Sequence, residues 1–179
     1  MKLKLLGNVL ALALIAGTLA SCNKNGAASG GSNVEAARTE QATPQATVKA
    51  MFEMFNSQFN KTFIGVQLAG GKDLQPNEEK FAGLFWDHER AGVLYTALYD
   101  RQAELQSLAD ADHTGASVNV AASVKAFASK EDEEKRDALY TFELRQRGPN
   151  WYVYELRGQK SPVGLYEQTK QIEKQGVTR

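Results

Sequence analysis

From Asp137 to Arg157 the chain alternates between hydrophobic and polar positions on either side of Gly148-Pro149-Asn150. Ala138, Tyr140, Phe142 and Leu144 fall on one side of this pattern; Leu139, Thr141, Glu143 and Arg145 fall on the other. Past the turn, Tyr152, Tyr154 and Leu156 alternate with Trp151, Val153, Glu155 and Arg157. Period two around Gly, Pro and Asn predicts an antiparallel hairpin. Pro149 donates no N–H and has a fixed φ, so it belongs in the turn. Each arm is about ten residues, roughly 33 Å at strand rise. A hairpin alone is marginal in water, so the rest of the chain must cover one of its faces.

Upstream, the period changes to that of a helix. Val48, Met51, Phe52, Phe55 and Phe59 form one apolar stripe behind Thr43-Pro44, a capping residue followed by proline at the first helical position. Asn56, Ser57 and Asn60 place the helix end near residue 60. Thr62 to Leu68 reads as strand or loop, closed by Gly70-Gly71. Pro76-Asn77-Glu78-Glu79 reads as a first helical turn with acids at the positive end of the helix dipole, running towards Trp86. Leu94, Leu98, Leu105 and Leu108 continue a second helical pattern, and Asp110 to Gly115 is loop chemistry. Ser117 to Ala128 alternates as a third strand. Lys130 to Arg136 is a solvated connection, and Val163 to Lys174 a last helix after Ser161-Pro162.

The N-terminus has a different character. Lys2 and Lys4 precede an apolar run from Leu5 to Leu19 and the small residues Ala20 and Ser21. That order predicts an export signal over residues 1–21, too short and wrongly flanked for a stable membrane span. Leu19-Ala20-Ser21-Cys22 resembles the bacterial lipobox. The resemblance implies cleavage before Cys22 and diacylation of its sulfur. Each buried methylene then contributes roughly 0.8 kcal/mol of membrane affinity. Ordinary secretion with a free Cys22 thiol is the alternative. Asn23, in place of the aspartate of inner-membrane lipoproteins, leans the expected address towards an outer membrane, facing the periplasm. Residues 22–42 are small, polar and Gly/Ser-rich, a flexible tether in which the twenty residues after Cys22 reach about 25 Å. Residues 43–176 then form one domain.

Charge and cysteine count narrow the chemistry. Lysine and arginine number 21 against 21 acids, so no basic excess draws nucleic acid. The single cysteine, Cys22, excludes an intramolecular disulfide and a CxxC motif. No phosphate-cradling glycine loop or nucleophile elbow occurs, and no cofactor is expected.

Helix, helix and three long strands ending in Trp151-Tyr152-Val153-Tyr154-Glu155-Leu156 resemble the nuclear-transport-factor-2-like (NTF2-like, cystatin-like α+β) superfamily. The resemblance is to its small secreted or lipoprotein members. Ala46, Lys49-Ala50-Met51-Phe52 and Pro149-Asn150-Trp151-Tyr152-Val153-Tyr154 carry it. It implies an α+β cone: N-terminal helices packed on a curved antiparallel sheet of three to four strands, with a mouth that holds a ligand. Thr62 to Leu68 would supply the fourth strand. The scaffold implies no one function.

Two constellations are candidates for a site. Trp86, Asp87 and His88 put an aromatic ring beside a carboxylate and an imidazole, the groups of acid–base chemistry. A solvated helix end gives the same residues a structural reading. Tyr140, Phe142, Trp151, Tyr152 and Tyr154 put large rings on both faces of the hairpin, suited to recognition or to cross-strand pairing. Asp110, Asp112 and His113 are too close in sequence and too few for a metal site, and none is expected. The expected function is therefore non-catalytic: an envelope lipoprotein, held to the membrane through lipid on Cys22, whose domain binds a protein partner or a small ligand. An immunity-type inhibitor of an envelope toxin, or a small-molecule enzyme using the cone pocket, are the alternatives.

Overall fold

The structure is a computed structural model, and it describes residues 38–59, 63–114, 117–129, 131–159 and 161–176. The expected signal peptide, Cys22 and the tether as far as residue 37 lie outside the described residues.

The fold is α+β, with helices against a curved, open antiparallel sheet of five strands. After a 3-10 turn at Thr39–Gln41 come α1 (Pro44–Met54), a π-helical turn (Phe55–Phe59), α2 (Gly65–Gly70), α3 (Pro76–Ala82) and α4 (His88–Asp100). Strands β1 (Glu104–Leu108), β2 (Asp112–Thr114), β3 (Ser117–Ala126), β4 (Arg136–Arg147) and β5 (Asn150–Gly158) follow, and α5 (Leu165–Gly176) is the last described element. The order across the sheet is β1-β3-β4-β5, with β2 pairing β3 beyond the end of β1.

The first helix begins where its capping signal lies. Thr43 accepts from the Ala46 amide at 3.1 Å, and Pro44 opens the helix. Its apolar stripe is wholly buried, and the Phe52 ring meets Phe142 of β4 edge-on at 5.8 Å. On β3 every even residue from Val118 to Ala126 is buried, and on β4 so are Tyr140, Phe142 and Leu144. Aromatic rings fill the helical side of the core. Phe59, Phe81 and Tyr95 meet edge-on within 6.3 Å of one another. The Tyr95 hydroxyl donates to the Phe59 carbonyl at 2.9 Å, and burial raises its pKa.

Four segments depart from the sequence reading. Residues 38–42, expected in the tether, belong to the domain: the Arg38 amide donates to Asn150 Oδ1 at 2.8 Å, and Gln41 is buried. Among the described residues of the Thr62 to Leu68 run, those from Gly65 on belong to helix α2 (Gly65–Gly70) and none to a strand; the fully buried Leu68 anchors this short helix, ended by Gly71 at φ 60°. Leu105 and Leu108 leave the helical register of Leu94 and Leu98 and lie in β1, because α4 stops at Asp100 and Gln102 adopts φ 44°. Part of the expected loop at 110–115 forms β2.

Helices α2 and α4 touch backbone to backbone. A Cβ at Gly92 would lie 2.6 Å from the Ala69 amide nitrogen and would collide with the Gly65 carbonyl. Gly92→Ala is therefore expected to cost about 1–3 kcal/mol through forced separation of the helices. Urea denaturation checks this; an unchanged midpoint would mean that the pair moves apart freely.

Candidate functional site

The site grows from the outer edge of β5. The segment between α3 and α4 adds a short parallel bridge there: the Val153 amide donates to the Leu84 carbonyl and the Trp86 amide to the Val153 carbonyl, both at 2.9 Å. These bonds hold Trp86 beside the sheet with its ring edge-on to Tyr152 at 6.3 Å and to Tyr154 at 5.9 Å.

A bulge decides what Tyr154 does. Glu143 pairs with Glu155 and Leu144 with Val153, so Tyr154 is the extra residue. Strict alternation would place Tyr154 and Leu156 on one face. The bulge turns Leu156 into the core and leaves Tyr154 half-buried, the local redirection that such insertions produce. The Tyr154 ring lies between two guanidinium groups, Arg145 at 3.3 Å and Arg90 at 4.0 Å. Arg90 also stacks on Tyr166 of α5 at 4.2 Å and donates to the Tyr154 carbonyl at 2.9 Å. Beside them the Arg147 guanidinium lies 4.1 Å from the centre of the Trp86 ring and 5.5 Å from that of Tyr152. The result is a ledge of alternating rings and cations.

The Trp86, Arg147 and Tyr152 end of the ledge forms one wall of an open cleft of about 710 Å³. Trp86, Asp87, His88, Arg147 and Tyr152 line it, together with Arg38 and residues of α3. It lies at the β4–β5 turn, not between α1 and the sheet. Gln41 contributes to its wall and donates to the carbonyls of Gly83 at 3.1 Å and Trp151 at 2.9 Å. Those bonds seat the 3-10 turn and carry Arg38 to the cleft. Nothing in the residue pattern around Gln41 announces this, because its partners are backbone carbonyls far along the chain.

The two candidate acid–base residues reach the same cleft but in different states. Asp87 caps α4, accepting from the Arg90 amide at 2.8 Å, and pairs with the Arg90 side chain. Its carboxylate is thus committed to the helix start. The His88 ring packs against Gly71, and its Nε2 is covered, has no hydrogen-bond partner and lies 3.6 Å from the Glu79 carboxylate.

The expected aromatic surface is divided by the sheet. Tyr140 and Phe142 are buried in the core and present nothing to solvent, a correction forced by their shared face with Leu144. Trp151 packs partly buried against the core. Only Tyr152 and Tyr154 of that group reach the ledge, where Trp86 joins them.

Two carboxylates carry structural work nearby. Glu143 is buried among Ser117 at 2.9 Å, Arg145 at 3.1 Å and Arg157 at 2.5 Å. Burial opposes its charge, but these hydrogen bonds outweigh that and hold its pKa below the ordinary value. Glu155 is buried too, and accepts from the amides of Tyr166 and Glu167 at the start of α5. Among the described residues no three His, Cys, Asp or Glu side chains converge as a metal site, and no helix is long and apolar enough to cross a membrane. His113 sits in β2 with its ring 6.4 Å from Trp151, apart from the cleft lining. No protein-family model, curated protein or solved structure matches the chain.

Proposed function

We propose that this protein is a lipid-anchored envelope protein whose single NTF2-like α+β domain serves recognition rather than catalysis. Its anchor is the acylated Cys22, and an outer membrane facing the periplasm is its address. The domain binds a protein partner or a small ligand at the cleft beside the β4–β5 turn. The observation that carries this reading is the ledge itself: Trp86 and Tyr152 bound an open cleft with Arg147 stacked beside them. Rigid aromatic rings with polar tips, next to arginine, are the side chains that concentrate binding energy in interfaces. Asp87, the carboxylate nearest to a catalytic role, is occupied as a cap and an ion-pair partner, which favours recognition over acid–base chemistry.

The test uses the full lipidated chain recovered from its own membranes. A bound species, protein by mass spectrometry or small molecule by native mass spectrometry, is expected with the unaltered chain. Trp86→Ala is expected to reduce it at least about tenfold, the effect of losing a central aromatic anchor. Equal recovery of that species with Trp86→Ala and with Tyr152→Ala would remove the cleft from the function.

A further inference from the structure

We propose that the group recognised in the cleft is a phosphate, held between the guanidinium groups of Arg38 and Arg147. This rests on the recognition reading and names the chemistry of the same site. Both arginines line the cleft. They come from distant parts of the chain, and their backbones are placed at the same cleft by the Gln41 bonds and by the Arg38 amide, which donates to Asn150, the residue opposite Arg147 in the β4–β5 ladder. Among the described residues neither arginine makes an ion pair with a carboxylate. Two other pairs of charges in or beside the lining are matched: Lys80 pairs with Glu40 at 3.2 Å and Asp87 with Arg90, while the Glu79 carboxylate lies 3.6 Å from His88 Nε2 without a hydrogen bond.

Stacking leaves Arg147 ready for an anion. Its Cζ lies over the Trp86 ring, 4.1 Å from the ring centre, and its side-chain hydrogen bond among the described residues is a 3.5 Å contact with the Trp86 carbonyl. A guanidinium over a ring keeps its N–H groups in its own plane, where a two-pronged bond to an oxyanion forms. One such fork satisfies both oxygens of a carboxylate. Two forks from separate segments match the greater number of acceptor oxygens on a phosphate. The Trp86 and Tyr152 rings then offer an apolar wall for whatever carries that phosphate. A soluble phosphate ester and a phospholipid headgroup share this chemistry.

Calorimetric titration of the full lipidated chain in uncharged detergent separates them. The probes are phenyl phosphate, benzoate and dihexanoyl phosphatidylglycerol below its micelle concentration. Saturable binding of phenyl phosphate is expected, at least tenfold tighter than benzoate. Arg38→Ala and Arg147→Ala should each weaken it at least tenfold, and Arg147→Lys should restore only part, since lysine keeps the charge and loses the fork. Tighter binding of the phosphatidylglycerol with the same dependence on both arginines would assign the headgroup as the source. The proposal is overturned if neither phosphate probe binds, if benzoate binds as well as phenyl phosphate, or if Arg38→Ala leaves affinity unchanged in a chain of unaltered melting temperature. Trp86-dependent capture of a partner that is indifferent to Arg38→Ala would overturn the phosphate while leaving recognition standing.

Discussion

Phe142→Ala is expected to destabilise the domain by about 3–5 kcal/mol, a large part of the stability of an ordinary single domain. Phe142 is fully buried and meets Phe52 edge-on at 5.8 Å. It stands between Val120 of β3 and Leu156 of β5 in the ladder, so truncation empties the middle of the sheet's helix-facing side. Backbone pairing holds β3, β4 and β5 in place, and the cavity therefore closes only partly. Leu139, three positions earlier and 40% exposed, is the control. Leu139→Ala is expected to change stability by less than about 1 kcal/mol, because it removes contacts from a side chain already in water. Urea denaturation of both variants decides the matter. Equal midpoints would mean that β4 does not present its even-numbered face to the helices.

The second large effect falls on Arg90. Arg90→Ala is expected to cost about 2–3 kcal/mol, since one side chain supplies a charged hydrogen bond and two ring contacts. It donates to the Tyr154 carbonyl, pairs with Asp87 and stacks on both Tyr154 and Tyr166. Only 14% of the side chain is exposed, so water replaces little of what is lost. The loss should be local. Helix α5 has no fully buried residue; Leu165 and Tyr166 pack partly buried against the core, and Arg90, Glu155 and Glu89 add the polar links to the body. Amide hydrogen exchange in α5 is expected to accelerate in Arg90→Ala far more than exchange in β3 and β4. Uniform acceleration would show instead that α5 and the sheet open as one unit.

Acid should loosen the same helix. Glu89 accepts from the Tyr166 hydroxyl at 2.6 Å and pairs with Lys170. Hydrogen bonds from Lys170 and Tyr166 hold its carboxyl below the ordinary value, while burial and the bond to Glu89 push the Tyr166 hydroxyl up to about 12. A lowered carboxyl stabilises the folded state fully above its unfolded pKa and loses that contribution as pH falls through the folded one. Exchange in α5 is thus expected to be flat from neutral pH down to about 5 and to rise below about 4, after correction for intrinsic rates. In Glu89→Gln the acid step should shrink.

Much of the scaffold was legible because its signals are local. Thr43-Pro44 and the stripe from Val48 to Phe59 announce a helix by period and cap, and the hairpin about Gly148-Pro149 by alternation and turn chemistry. The site was legible only in fragments. Trp86, Asp87 and His88 drew attention by residue type, and all three do line the cleft. Arg38 and Gln41 lay hidden in what reads as tether, since their partners, Asn150, Gly83 and Trp151, are remote in the chain. Leu105 and Leu108 misled for a related reason: their three-residue spacing reads as helix, and only the register shift between Leu105 and Ser107 in β1 lets both pack on the core from a strand.

By itself, then, the order of residues determined the elements with strong periodicity and the α+β class, while which face of β4 is buried had to await the packing of α1 on the sheet. Tertiary structure decided the rest. The bulge that sets Tyr154 outside and Leu156 inside arises from pairing between β4 and β5, which no single-strand pattern contains. The bridge from Leu84 to Trp86 along β5 is a backbone contact between distant segments, and the docking of Arg38 on the Asn150 side chain uses the Arg38 backbone amide. Every peptide unit except proline's carries the same donor and acceptor whatever its side chain, so such contacts leave little trace in residue identity.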